Sequence, residues 1–154
     1  MTKNLVLLFV FLAGAVMSPN SQGADVTVKA VDGRTGRPLA GYVIRLDGID
    51  AMYPEANTHP LATATTGSDG TATLHLDEPL PKALFIVLWK AHFPRSVMID
   101  CARPEFSTDE VLRSGVVGRN ACDPAHRINH TFSAGPGQVV VFARKKGFLE
   151  SFPG

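Results

Sequence analysis

The residues best placed to do chemistry are His126 and His130, in the run Asp123-Pro124-Ala125-His126-Arg127-Ile128-Asn129-His130. A spacing of four puts two imidazoles on one face of a helix, a geometry that zinc accepts. Pro124 and nearby glycines argue against a long helix here, and no third ligand stands out in the sequence. Two exposed loop histidines are therefore the plainer reading, and a metal-dependent module or enzyme using His126 and His130 is the competing one. His59, His75 and His92 are scattered, with His75 expected on the solvent face of a strand.

Other reactive arrangements are weaker. There is no Gly-x-Ser-x-Gly elbow and no Cys beside a His, so nucleophilic catalysis has no sequence signature. Asp32 and Asp69 each precede or lie within a glycine turn, and the two turns could meet at one end of a β fold. Two aspartates cannot fill a calcium shell, whereas Asx-turn chemistry accounts for both. Cys101 and Cys122 are the two cysteines, and in an exported chain such a pair is expected to form a disulfide. Closing a loop of about 20 residues is worth about 3 kcal/mol in the chain-entropy account. Two free thiols are the alternative, but neither cysteine sits in a C-x-x-C or next to an activating base. The expectation is a non-catalytic protein without a cofactor.

Export is read from the first 24 residues. Lys3 is followed by the apolar run Leu5–Met17 and by the small, polar stretch Ser18–Ala24, the pattern of a secretory signal peptide. Thirteen apolar residues fall short of the ~20 that a membrane span requires. This divides the chain into a signal peptide, 1–24, and one domain, 25–154, either periplasmic or secreted and without stable membrane insertion. Without Lys3, the remaining 14 basic residues balance the 14 acidic ones, so no basic field for nucleic acid is present.

The elements that must position any site are mostly strands. Val26, Val28 and Ala30 alternate with polar neighbours, and Tyr42, Ile44 and Leu46 do the same after Gly41. Asp32-Gly33 and Thr35-Gly36 offer residues that tolerate positive φ, and Pro38 holds the chain extended. Asp47–Pro60 reads as a long loop, interrupted by Tyr53-Pro54 and His59-Pro60. Thr63–Thr66 is a short strand that turns at Gly67–Gly70 into Thr71–Leu76. Leu84–Trp89, the most continuous apolar run beyond the signal, is expected to be a central strand covered on both faces. Ser96–Cys101 and Val139–Ala143 complete the set. Ser107 and Glu110 have capping-box spacing and Gly115 is a stop, which predicts a short helix over Thr108–Ser114. The tail, with Phe148, Leu149 and Phe152, is expected to pack back on the fold.

About seven strands with glycine and proline turns argue for an all-β sandwich with one short helix. The unit Asp32, Gly36, Pro38, Leu39 and Gly41, followed by Thr66 and Gly70, resembles the start of a carboxypeptidase-regulatory-like domain. The resemblance covers Val26–Trp89, and it implies a seven-stranded Greek-key, prealbumin-like (transthyretin-like) β-sandwich. The second half looks like a group of uncharacterised bacterial exported proteins that bear this domain. Hydroxyisourate hydrolases of the related fold end in a Tyr-Arg-Gly-Ser-like tetrapeptide, which Ser151-Phe152-Pro153-Gly154 does not match, so no activity carries over. A structural or binding role is implied, with a protein, peptide or carbohydrate partner met by the loops Asp47–Pro60 and Cys101–Asn120. One tryptophan and two tyrosines give little sign of a sugar platform.

Overall fold

In a computed structural model of the chain, residues 23–49, 58–90, 98–101, 105–123, 125 and 127–145 are described. All of the expected signal peptide except Gly23 and Ala24, most of the Asp47–Pro60 loop, His92, His126 and the tail lie outside them. Two sheets are present. The first has the order β4 (Thr71–Leu76), β1 (Ala24–Asp32), β9 (Gln138–Lys145), β6 (Met98–Asp100), with the two-residue β8 (Val116–Val117) also paired to β9. The second has the order β3 (Thr58–Thr65), β2 (Tyr42–Ile49), β5 (Ala83–Lys90), β7 (Glu105–Ser107). Helix α1 spans Thr108–Ser114 as expected, with the Ser107 hydroxyl accepting from the Glu110 N–H and Gly115 at φ 74° ending it. The described residues thus hold nine strands, the additions to the expected set being the short β7 and β8.

The sheets face each other across one core. Val26, Val28 and Ala30 of β1 and Val139, Val141 and Ala143 of β9 meet Ile44, Leu46, Leu84, Ile86 and Leu88 from the second sheet. Alternation puts every second residue of each strand into this layer.

Two expectations about the strands are corrected. Leu84–Trp89 is not covered on both faces: Leu84, Ile86 and Leu88 are buried, whereas Phe85, Val87 and Trp89 are only half-buried. The strand covered on both faces is β9, because the second sheet packs on its inner face and a second apolar layer lies over its outer one. The strand after the Asp47–Pro60 region also starts earlier than Thr63, at Thr58, and pairs with β2 through Ile49. Pro60 is tolerated there because β3 is an edge strand and the register shifts between Leu46 and Asp47.

The turn motif is explained by one hydrogen-bonded interlock. The Asp32 carboxylate accepts from the Arg34 N–H (3.0 Å), the Thr35 N–H (2.8 Å) and the Thr35 hydroxyl (2.9 Å), closing the first turn. The Leu39 N–H donates to the Ala30 C=O, folding the turn back along β1. Thr66, 4% exposed, then joins the two turns: its hydroxyl donates to the Leu39 C=O (2.6 Å) and accepts from the Tyr42 N–H (2.9 Å). Gly70 sits at φ 77° where a Cβ would meet the Ala30 C=O oxygen at 2.6 Å, so only glycine fits against β1. The expected meeting of the Asp32 and Asp69 turns is therefore real, and each carboxylate is used by its own turn.

Replacing Thr66 by the isosteric valine would orphan a buried carbonyl and a half-buried N–H. We expect Thr66→Val to lower stability by about 2 kcal/mol in urea unfolding, with an unchanged denaturant slope. A loss below about 0.5 kcal/mol, normal for a surface position, would refute the interlock.

Candidate functional site

The sequence separating Cys101 from Cys122 shapes the second half of the molecule. The two cysteines are joined in a disulfide, with their Cα atoms 5.1 Å apart. Asn120, 1% exposed, ties this segment to the first turn: its amide donates to the Gly33 C=O (2.8 Å) and its carbonyl accepts from the Cys122 N–H (3.1 Å). A Cβ on Gly33 would lie 2.7 Å from both the Asn120 Oδ1 and the Cys101 Sγ. Gly33 is thus required for close approach, and not for the positive φ that its Asp-Gly setting suggested; Gly36 supplies that, at φ 72°. Over the outer face of the first sheet, Val31, Cys101, Val140 and Phe142 form a second apolar cluster with Ile128 and Phe132 packed on it. The Phe132 ring meets Phe142 edge-on at 5.6 Å.

The same segment frames a cleft of about 610 Å³. Its walls come from the edges of both sheets: β7 and α1 on one side, β8 and the residues after it on the other. Phe106, 8% exposed, with Val116 and Val117 gives it an apolar floor, and Glu105, Glu110 and Arg119 stand exposed at its rim. The close contact of the two edges depends on Gly118, whose added Cβ would reach the Phe106 ring at 3.4 Å and the Val140 C=O at 3.0 Å. The helix closes one end: the N–H groups of Gly115 and Gly137 both donate to the Val111 C=O, joining α1 to the turn before β9.

The sequence-predicted site residues fare differently. His130 is exposed in a single turn of 3-10 helix, Asn129–Thr131, and His126 lies outside the described residues, so the metal pair is not assembled among the described residues. The turn leading there is organised by Asp123, whose buried carboxylate accepts from the Ile128 N–H at 2.6 Å. His75 does lie on the solvent face; the Asp25 carboxylate bonded to its Nδ1 at 2.7 Å favours the imidazolium and pushes its pKa up. Asp69 is held below the usual carboxylate range by the Thr71 N–H and hydroxyl, which is turn chemistry. Sequence reasoning missed the Arg45–Asp47 pair, in which a buried carboxylate meets Nε at 2.7 Å and Nη2 at 2.8 Å. The Arg45 guanidinium also lies 6.0 Å from the Trp89 ring centre. The cleft falls on the Cys101–Asn120 stretch expected to meet a partner, although its two walls of strand edge were not foreseen.

Comparison with known proteins adds little. No family model and no curated protein matches the chain. Among solved structures, part of a 9R-lipoxygenase from Cyanothece PCC8801 is 19% identical over 47% of this chain and 11% of its own length, at a TM-score of 0.35. A likeness that slight carries no argument about fold or activity.

Asn120 is the local anchor of the whole arrangement, and Asn120→Ala would leave the Gly33 C=O and the Cys122 N–H without partners. A loss of about 2 kcal/mol on denaturant unfolding of the oxidised chain is expected. Stability within about 0.5 kcal/mol of the parent would show that the segment is not anchored through this side chain.

Proposed function

We propose that the chain is an exported, non-catalytic β-sandwich module of the carboxypeptidase-regulatory-like, prealbumin-like kind, acting by binding or structural support in the cell envelope or outside the cell. The observation that carries this reading is the cleft between β7, α1 and β8, built on disulfide-tied backbone, with an apolar floor and a charged rim. Such a surface suits recognition of a protein, peptide or carbohydrate partner, because rigid sheets position variable segments well. The Cys101–Cys122 bridge fits an oxidising compartment, in keeping with the signal-like run Leu5–Met17. Leaving aside β7 and β8, which the inserted segment contributes, seven strands remain, in keeping with the seven-stranded Greek-key reading. Connections β1–β2, β3–β4 and β5–β6 each pass from one sheet to the other, which supports the sandwich part of this reading.

A photo-cross-linking side chain introduced at Glu110 or Arg119, in the full chain expressed in a bacterial host, tests this reading. The chain is expected outside the cytoplasm without residues 1–24, with adducts formed from both cleft positions. A control at Thr63, on the β3 edge at the far side of the second sheet, is expected to give none. Retention in the cytoplasm, or equal adducts from Thr63 and the cleft, would overturn it.

A further inference from the structure

The walls of the cleft are strand edges, and their free backbone groups can be located. The Gly118 N–H donates to the Val140 C=O at 2.8 Å, within the parallel pairing of Val116 with Val139 and Val117 with Val140. In a parallel ladder, bonding groups alternate along the strand, so Val116 and Gly118 turn toward β9 while the N–H and C=O of Val117 turn away from it. On the opposite wall, the Thr108 N–H donates to the Lys82 C=O at 3.0 Å. In the antiparallel pairing of β5 with β7, this makes Phe106 the residue bonded to Leu84 and leaves the N–H and C=O of Glu105 on the free edge. Both walls therefore offer main-chain donors and acceptors with no partner among the described residues, beside apolar side chains. That is the chemistry of an open sheet edge, which takes up another extended chain.

Charge distinguishes which extended chain fits. Glu105 and Glu110 stand on the β7–α1 wall, both exposed, and no ion pair engages either one among the described residues. Arg113, the cation nearest in sequence on α1, is already held by Asp109 at 2.5 Å. Arg119 lies across the cleft, on the β8 side. A segment lying between the walls would meet two carboxylates that no described cation engages on one side and one guanidinium on the other, above Phe106 and the two valines.

We propose that the cleft binds an extended peptide segment of a partner protein, added as a strand at the Val117 edge, with apolar residues toward Phe106 and a Lys or Arg toward Glu105 and Glu110. Main-chain bonds to Val117 supply affinity and the alternate side chains supply selectivity. This rests on the binding role proposed above and names its partner class.

The test is selection from a phage-displayed library of random nonapeptides against the full, disulfide-bonded chain, followed by anisotropy titration of the enriched peptides. Enriched sequences are expected to alternate apolar and polar residues and to carry Lys or Arg. Glu105→Lys with Glu110→Lys is expected to weaken binding about tenfold or more, and added salt to weaken it in the parent. Val117→Pro, which removes the edge N–H, is expected to weaken it at least as much. The two charge reversals lie on exposed side chains, so they keep the test decisive if the proline variant misfolds. Absence of enrichment, enrichment of peptides with helical i, i+3, i+4 apolar spacing, or affinity unchanged by the charge reversals would overturn the inference. Cross-linking at Glu110 without enrichment would remove the peptide and leave the binding role. Enrichment without adducts in the host would do the reverse.

Discussion

Five consecutive apolar residues of β9, Val139–Ala143, are each at most 9% exposed, and this one strand constrains the rest of the molecule. A strand turns successive side chains to opposite faces, so such a run has to be covered twice. The inner cover is the second sheet. The outer cover is the C-terminal segment, which lays Cys101, Ile128 and Phe132 over Val31, Val140 and Phe142. Burying a valine or phenylalanine stabilises by about 1.5–3 kcal/mol, so three such residues outweigh one disulfide's contribution of about 3 kcal/mol. The bridge and the Asn120 bonds to Gly33 and Cys122 fix where the cover sits, and the apolar contacts hold it down.

Much of the scaffold was legible in the sequence, since its signals are local. Asp32, Gly36, Pro38, Leu39, Gly41, Thr66 and Gly70 each meet a requirement of the interlocked turns, and α1 follows from Ser107, Glu110 and Gly115. The disulfide followed from a cysteine pair in a chain read as exported. Hidden were the features that depend on what lies across space. Apolar runs Leu84–Trp89 and Val139–Ala143 look alike, and only the C-terminal segment covering β9 separates them. Strands β7 and β8 span three and two residues, too few for a period to register. Gly33 looked like a turn residue, yet its reason is the disulfide and Asn120 packed against it.

The cleft and the cover over β9 come from successive stretches joined at the disulfide. Before Ile128 and Phe132 cover β9, the chain leaves β6, crosses to the edge of the second sheet as β7, turns through α1, and returns to the first sheet as β8. That excursion leaves two short edges facing one another, with Phe106 and Gly118 in contact beneath them. A cleft built this way inherits the rigidity of the core below it, and its charged rim is free to vary without cost to the fold. The opening unit, whose polar residues are consumed by turn geometry, holds the platform, and the Cys101–Cys122 segment frames the cleft.

The outer face of β9 is interior, and Val140→Thr tests this most directly. The substitution keeps shape and β-branching while adding one hydroxyl at a position 2% exposed, where no partner awaits it. If that face is interior, equilibrium unfolding of the oxidised chain should show a loss of about 1–3 kcal/mol. A change within about 0.5 kcal/mol, the usual response of a solvent-facing strand position, would contradict it.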